Sequence, residues 1–160
     1  MQRTINILDE VKSHDVAPEK IYQAVCMDVA EQTGANRVSI WHLEDDDSCI
    51  RCSAFYHVSA NSFTSGEVLF AKDLPKYFNT ILSEKSIVAP DVFIHPATAE
   101  LVDIYFKKHG IYSMLDFIIY SDFKPIGVIC CENAGEHRDW KPEDVSYLLK
   151  LSTVISFYFK

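Results

Sequence analysis

The 160-residue chain lacks an apolar run long enough to span a bilayer, and its start, MQRTINILDE, lacks the apolar core of a signal peptide. Basic residues are also few: 15 stand against 23 acidic residues, so the net charge is −8. This charge argues against nucleic acid or a membrane surface as the main partner. Glycine and proline are scarce, with 5 and 6 residues, while 48% of the chain is apolar, which excludes low complexity and disorder. We therefore expect a cytoplasmic protein with one globular domain.

The five cysteines show no pattern typical of a disulfide framework or a zinc site. Cys49 and Cys52 form a C-x-x-C pair, but they lie in a β-strand pattern, where a spacing of three places two thiols on opposite faces. No second C-x-x-C follows, and His42, His57 and His95 share no spacing of metal ligands. We therefore interpret the cysteines as small apolar residues of a reducing compartment, and we expect no metal.

Apolar periodicity and helix-boundary residues predict alternating groups of helices and strands. The helices are expected at residues 1–14, 18–33, 75–82, 96–109 and 142–159, and the strands at 38–43, 49–57, 68–71, 87–89, 114–120 and 126–133. Asp73 is expected to cap the third helix, Pro96 to open the fourth, and residues 58–66 to form a loop.

The order of these elements favours an antiparallel sheet. The first two strands are separated by a short acidic turn, and the last two by Ser121–Pro125, so each pair is expected to form a hairpin. Helices do not alternate regularly with strands, which disfavours parallel βαβ winding. The predicted fold class is α+β, a sheet flanked by helices.

Several segments, taken in order, carry a resemblance to a known family. They are Asn36–Trp41, Ile87–Asp91, Tyr105–Ile111 running into Ser113–Asp116, Gly127–Asn133 and Arg138–Trp140. The chain resembles a GAF domain, the small-molecule sensor module of bacterial signalling proteins, which is related in fold to phytochrome chromophore domains. The resemblance covers about residues 16–159, and no single motif is strict.

The resemblance implies a GAF-like (PAS/profilin-like) antiparallel sheet of about six strands. It places the terminal helices on one face and a ligand pocket under loops and helices on the other. Residues 1–15 would form an N-terminal helical arm and residues 16–160 the sensor domain. The expected role is non-enzymatic binding of an unidentified small molecule, with signalling through the terminal helices to a fused or partner output domain such as a histidine kinase or diguanylate cyclase.

The candidate ligand-binding residues combine strand alternation with the face that looks into the pocket in relatives. They are Ser39, Trp41, Tyr77, Phe78, Asp91, Leu101, Tyr105, Met114, Asp116 and Glu132. Asp116 and Glu132 each interrupt an apolar strand, and a buried carboxylate there must be paired, hydrated or exposed. If both line the cavity, the pocket favours a cationic or hydrogen-bond-donating ligand. Simpler interpretations stay open: a core aromatic at Trp41, a turn-capping Asp91, and pairing of a carboxylate with Arg37.

Departures from well-known relatives narrow the function. Bilin-binding relatives carry an attachment cysteine on the middle helix, and the matching position here is Leu101. The residue set of cyclic-nucleotide-binding relatives is not apparent, so the ligand and any cofactor stay unknown. No catalytic constellation emerges either. The alternatives are a thiol-dependent redox enzyme similar to free methionine sulfoxide reductases, and a dimerisation domain with no ligand.

The final helix has more apolar residues than one face can hold. Val145, Leu148, Leu149 and Ile155 are expected to pack on the sheet, which leaves a second set outside: Leu151, Val154, Phe157 and Tyr158. A homodimer built on this second set is the expected way to cover it. The alternative cover is the N-terminal arm of the same chain, through Ile5, Leu8 and Val11.

Overall fold

The computed structural model describes residues 1–159, so Lys160, the last residue of the predicted domain, lies outside the described residues. The helices are α1 (Gln2–Val11), α2 (Pro18–Thr33), α3 (Pro75–Glu84), α4 (Lys107–His109) and α5 (Pro142–Ile155). The strands are β1 (Arg37–Leu43), β2 (Cys49–His57), β3 (Ser62–Thr64), β4 (Val68–Phe70), β5 (Ser86–Ala89), β6 (Ile111–Ser121) and β7 (Lys124–Ala134). The chain also forms 3₁₀ turns at Ala99–Leu101 and Ser156–Tyr158 and a π-helical segment at Val102–Phe106.

All the strands join one antiparallel sheet. Its order is β3-β2-β1-β7-β6-β5, and β4 pairs with β2 beside this path. The two predicted hairpins, β1–β2 and β6–β7, meet at the centre, where β1 pairs with β7. The α+β fold class and the antiparallel sheet predicted from the sequence are therefore confirmed.

The hairpin between β6 and β7 is tighter than the sequence suggested. Both strands continue past their predicted ends, which leaves only Asp122 and Phe123 as the connection. Their φ angles are 49° and 64°, so both residues lie in the left-handed region that a two-residue type I′ turn requires. The right-handed twist of the flanking strands favours this turn although Phe123 is a poor residue for it.

The boundaries of the two long helices α2 and α5 lie at residues that favour the start or the end of a helix. Pro18 occupies the first turn of α2, and Gly34 ends that helix with a φ of 68°. Pro142 opens α5, and the carboxylate of Asp144 accepts a hydrogen bond of 2.9 Å from the backbone N–H of Lys141. That bond satisfies a backbone donor at the start of α5, as in a capping box.

Each face of the sheet supports its own apolar core, because successive side chains of a strand alternate between faces. One core lies between the sheet and helices α1, α2 and α5, and includes Val38, Ile40 and Leu115. The other lies between the opposite face, α3 and the segment that follows β5, and includes Trp41 and Met114. We call residues 97–109, which close this second core from outside, the roof.

Three local predictions were wrong. Residues 58–66 contain a strand, β3, because this stretch reaches the edge of β2 and pairs with it. Asp73 does not cap α3: the carboxylate of Glu100 accepts the backbone N–H bonds of Lys76 and Tyr77 instead. Pro96 opens no helix, since the hydroxyl of Thr98 bonds to the carbonyl of Val92 and holds this stretch in a turn.

The roof is less regular than the helix predicted there. A 3₁₀ turn, a π-helical segment and one α-helical turn follow one another between Ala99 and His109. The predicted end of the segment is confirmed, because Gly110 follows with a φ of 63°. π-Helical segments are rare and are frequently found at functional sites.

The prediction for α5 placed two leucines on the wrong faces. Leu151 is fully buried against the sheet, while Leu149 is 54% exposed. The buried stripe runs through Leu148, Leu151, Ser152 and Ile155, which is the i, i+3, i+4, i+7 spacing of one helix face. Leu151 is therefore a core residue and is not available to a partner.

The other residues assigned to the outer face of α5 differ in exposure. Val154 is 37% exposed and Phe157 is 78% exposed. Tyr158 is partly buried against the core that lies between the sheet and helices α1, α2 and α5. In the N-terminal arm, Leu8 is buried and Ile5 is exposed. No helix within residues 1–159 combines the length and apolarity needed to cross a membrane.

Candidate functional site

A small, mostly apolar cavity lies between the sheet and the roof. Its volume is about 20 Å³, which is enough for one water molecule. The residues that line it are Trp41, Ile50, Leu69, Tyr77, Leu101, Tyr105, Phe106, Met114, Asp116, Cys130 and Glu132. The sheet therefore supplies both carboxylates, and α3 and the roof supply aromatic and aliphatic cover.

Strand register explains why the two carboxylates face this cavity. Asp116 of β6 is opposite Cys130 of β7, and Glu132 lies two residues further along β7. Residues two apart on a strand share a face, so Cys130, Glu132 and Asp116 project to the same side. Both carboxylates are almost completely buried.

Asp116 has one satisfied and one unsatisfied oxygen. The hydroxyl of Tyr77 donates to its Oδ2 at 2.5 Å. Its Oδ1 has no hydrogen-bond partner within residues 1–159, because the adjacent Cys130 thiol, although close enough to lower the pKa of Asp116, donates to Oε1 of Glu132 at 3.9 Å. Burial raises the pKa of Asp116 to about 7, against the opposing effects of the neighbouring Cys130 thiol and the Tyr77 hydroxyl.

Glu132, by contrast, has several donors. The Tyr105 hydroxyl donates to its Oε1 at 2.7 Å, and the Arg37 Nε lies 3.4 Å from its Oε2. Arg37 also donates to the Tyr105 hydroxyl at 3.4 Å and stacks over the ring of Phe55. Burial raises the pKa of Glu132, while the charge of Arg37 opposes the rise. The simpler interpretation of one carboxylate, pairing with Arg37, therefore applies to Glu132.

Trp41 is held in place by a hydrogen bond along its own strand. Its Nε1 donates to the Ser39 Oγ at 2.7 Å. Both side chains are buried, and Trp41 lines the cavity while Ser39 does not. Ser39 thus fixes the orientation of the indole instead of facing the cavity.

Two further candidates lie away from the cavity. The Asp91 carboxylate accepts the backbone N–H of Phe93 at 2.9 Å, which is the turn-capping arrangement left open in the sequence. Phe78 is buried in the same core as Tyr77 and packs edge-on against it, without lining the cavity. Apart from Ser39, Phe78 and Asp91, the candidates all line the cavity, and their part in binding a ligand stays a prediction.

Sequence reasoning missed several residues that line the cavity. Ile50, Leu69 and Phe106 come from β2, β4 and the π-helical segment. Ile50 had a usable signal, because it alternates with Cys52 on one strand face. Phe106 had none, since the π-helical geometry that turns both it and Tyr105 inward does not follow the helical period used to assign faces.

The cysteine thiols are shielded from solvent. All five cysteines are free and buried. Burial raises the pKa of Cys52 to about 12 and raises the pKa values of Cys26, Cys130 and Cys131 well above the usual range. Within residues 1–159, no group of three or more His, Cys, Asp or Glu side chains is arranged to hold a metal ion.

Known proteins share both the sequence pattern and the architecture of this chain. The model of the GAF domain family matches residues 17–158. The chain belongs to the GAF domain family. GAF domains are sensory modules that bind small molecules. A comparison with curated proteins finds no match.

Solved structures confirm the GAF fold. The phycocyanobilin-bound GAF domain of a cyanobacterial phytochrome has a TM-score of 0.78 at 15% identity, over 98% of this chain and 91% of that chain. The GAF domain of an Acinetobacter phosphoenolpyruvate-protein phosphotransferase has a TM-score of 0.72 at 16% identity, over 97% and 89%. The Stigmatella aurantiaca phytochrome photosensory core module has a TM-score of 0.73 at 15% identity, but the match spans 99% of this chain and only 35% of that one.

Proposed function

We propose that this GAF domain is a non-enzymatic sensory or regulatory domain that binds a small molecule between the sheet and the roof. The observation that carries the proposal is a cavity with an unsatisfied carboxylate oxygen, Asp116 Oδ1, in a mostly apolar wall. Unsatisfied buried polar atoms are costly, so a ligand that donates to Oδ1 gains binding energy there. In this proposal the protein acts in the cytoplasm, and residues 1–15 serve as a helical arm that packs onto the terminal helices of the domain.

The size of the cavity constrains how such a ligand enters. A volume of about 20 Å³ is far below the several hundred Å³ of ordinary ligand pockets, so anything larger than water displaces part of the wall. The roof is the part best suited to move, because its 3₁₀ and π-helical turns make fewer regular hydrogen bonds than α-helix. Leu101 occupies the position of the bilin attachment cysteine and lines the cavity, which argues against a covalent bilin.

The terminal helices would transmit the signal to an output domain. Helix α5 packs on the sheet face opposite the cavity, and α2 lies beside it. A fused or partner output domain such as a histidine kinase or a diguanylate cyclase would then respond to a change in α5. A homodimer formed through the exposed side of α5 is part of this proposal.

Native mass spectrometry of protein purified from its own host tests the proposal. We expect a bound small molecule, detected as an added mass that is lost when the cavity is filled by Leu101→Trp. The matched control is Ile104→Trp, because Ile104 belongs to the same roof but is 50% exposed. An unliganded wild type, or an added mass that persists in Leu101→Trp, would contradict the proposal.

The small cavity also favours a second candidate, a dimerisation domain that binds no ligand. In that case the cavity is only an imperfectly filled core, and Leu101→Trp should alter stability without altering composition. The third candidate, a thiol-dependent redox enzyme, needs an accessible cysteine of low pKa. The buried thiols with raised pKa values argue against it.

A further inference from the structure

Asp116 is distinguished from the other unsatisfied groups by its position. Within residues 1–159, the buried side-chain atoms without a hydrogen-bond partner are Asp116 Oδ1, Arg138 Nε, Trp140 Nε1 and Tyr147 Oη. Only Asp116 lines the cavity beneath the roof. Its free oxygen is also an acceptor, so the missing partner is a hydrogen-bond donor.

The charge of Asp116 is uncompensated. The groups that face it are the Cys130 thiol and Glu132 from β7 and the Tyr77 hydroxyl from α3, and its β5 neighbour in the pairing register is the apolar Ile87. Arg37 reaches the cavity wall, where it is engaged with Glu132. A buried carboxylate with no cation beside it is expensive, so a positive ligand would gain more here than a neutral donor.

The walls of the cavity suit a small cation as well. Trp41, Tyr77, Tyr105 and Phe106 line the cavity, and aromatic side chains attract cations through the faces of their rings. A volume of about 20 Å³ admits a group the size of water, which is also the size of an ammonium group. A guanidinium or quaternary ammonium group would displace more of the wall than an ammonium group does, and an anion would be repelled by Glu132.

We propose that the cavity takes the ammonium head of a small primary amine, with Asp116 Oδ1 as the acceptor. This inference rests on the proposed function, because it names the ligand class of the same cavity. The amine supplies both missing elements, a donor for Oδ1 and a positive charge beside it. Any organic group attached to the ammonium head would have to displace residues of the roof.

The pH dependence of binding has a definite sign. Only the ionised carboxylate compensates an ammonium charge, and the pKa of Asp116 in the empty protein is about 7. Amine affinity should therefore rise from pH 6 to pH 8, by about tenfold for a group that ionises near neutrality. Simple alkylamines stay protonated throughout this range, so a change in their affinity reports the ionisation of a group on the protein.

The test uses methylammonium chloride as the probe, with methanol as the neutral isostere, acetate as the anion and KCl to match ionic strength. Trp41 lines the cavity and reports by fluorescence in a Trp140→Phe background, which removes the second tryptophan of the chain. We expect saturable methylammonium binding at least tenfold tighter than methanol binding, with no acetate binding. Affinity should rise with pH as derived above.

Two substitutions separate this site from a general effect. Asp116→Asn should weaken methylammonium binding at least tenfold and remove its pH dependence. Asp103→Asn is the matched control, since Asp103 is an exposed roof carboxylate paired with Lys107 and should bind as the wild type does. Tyr77→Phe is the second informative substitution. It removes a hydrogen bond that lowers the pKa of Asp116, so the midpoint of the pH profile of methylammonium binding should move to higher pH.

The outcomes distinguish the inference from the proposed function. If methanol or acetate binds as well as methylammonium, or if methylammonium binding survives in Asp116→Asn, the amine inference is overturned while small-molecule binding stands. If no probe binds but the host protein carries a neutral or anionic ligand, the inference is likewise overturned. If no probe binds and the host protein carries no ligand, a buried water satisfies Oδ1 and both proposals fail.

Discussion

Among the described residues that line its cavity, Asp116 has no Lys or Arg to offset the charge of its ionised form. Its pKa in the folded protein, about 7, lies above the ordinary aspartate value of 3.8, so the folded state binds a proton more tightly than the unfolded state. For a carboxyl group with this direction of shift, the stabilising contribution is present at low pH and is lost as pH rises between the two values. The ionised side chain thus destabilises the fold at and above neutral pH.

We therefore predict a pH-dependent benefit from Asp116→Asn. The variant should gain stability relative to the wild type as pH rises from 5 to 8, by roughly 2 to 3 kcal/mol from the shift in pKa. Denaturant unfolding of both proteins at several pH values measures this difference. Asp103→Asn should show no such trend, and parallel pH profiles for wild type and Asp116→Asn would contradict the prediction.

Thiol reactivity is the second prediction at this scale. Because the cysteines are buried and burial raises the pKa values of Cys26, Cys52, Cys130 and Cys131, few thiolates are accessible at neutral pH. A water-soluble disulfide reagent should modify the native protein far more slowly than the unfolded protein. One thiol reacting natively as fast as free cysteine, together with sulfoxide turnover that its substitution abolishes, would establish the redox enzyme instead.

Individual residues show how much of the site the sequence can predict. Strand alternation is a two-fold pattern that holds for Trp41, Asp116 and Glu132, and it correctly predicts that all three side chains face the cavity. The pattern does not reveal that the Ser39 hydroxyl is taken up by the indole N–H of Trp41. It also does not separate Asp91 as a turn cap from Asp91 as a ligand contact, because both roles use the same oxygen.

At the scale of elements, strand β7 carries a glycine, Gly127, at the point where Phe159 packs against the sheet. A Cβ at Gly127 would overlap both the ring of Phe159 and the backbone carbonyl of Trp41. Phe159 is buried here, stacked on His42 with 4.0 Å between ring centroids and packed edge-on against Tyr22. Gly127 therefore makes room for the residue that follows the last 3₁₀ turn.

Gly127→Ala should destabilise the protein by about 1–3 kcal/mol, the usual cost of overpacking. The cost should fall, but not vanish, in a Phe159→Ala background, because the overlap with the Trp41 carbonyl remains. A double-mutant cycle from denaturant unfolding measures this coupling. Equal costs in the two backgrounds would show that Phe159 does not occupy the space above Gly127.

The elements that the sequence predicts well are those with a simple period and clear boundary residues. Helix α2 has its predicted bounds because Pro18 and Gly34 mark both ends. The roof differs from the single α-helix predicted there because a π-helical turn has no recognisable sequence period. In α5, apolar residues occur nearly all round, so periodicity alone does not decide between Leu149 and Leu151 as the buried residue.

For the whole molecule, strand β1 connects the two faces of the sheet. Trp41 faces the cavity, and the next residue, His42, faces the terminal helices and stacks on Phe159. The pairing of β1 with β2 is irregular between Ile40 and Trp41, because the opposite strand β2 carries one extra residue, Ser53, as a bulge at this point. A shift of Trp41 beneath the roof would therefore act one residue away from the contact that holds the C-terminal end.

The same C-terminal region carries the apolar surface on which we propose a homodimer. Leu149, Val154 and Phe157 are exposed on α5 and the 3₁₀ turn after it, and Phe157 alone is 78% exposed. Such a surface next to the end of a helix is seldom left open, and pairing by a two-fold axis covers it on both copies at once. Leu151, which was expected to share this surface, instead supports the core beneath it.

Sedimentation equilibrium at tens of micromolar protein tests the dimer. We expect twice the chain mass for the wild type and a shift toward the monomer for the double variant Leu149→Ser and Phe157→Ser, because both lose apolar area at the contact. Ile94→Ser is the matched control: Ile94 is 80% exposed but follows β5 on the roof side of the sheet, so its loss should leave the dimer intact. A wild type of monomer mass would remove the dimer, and would leave Leu149 and Phe157 as the surface to which an output domain docks directly.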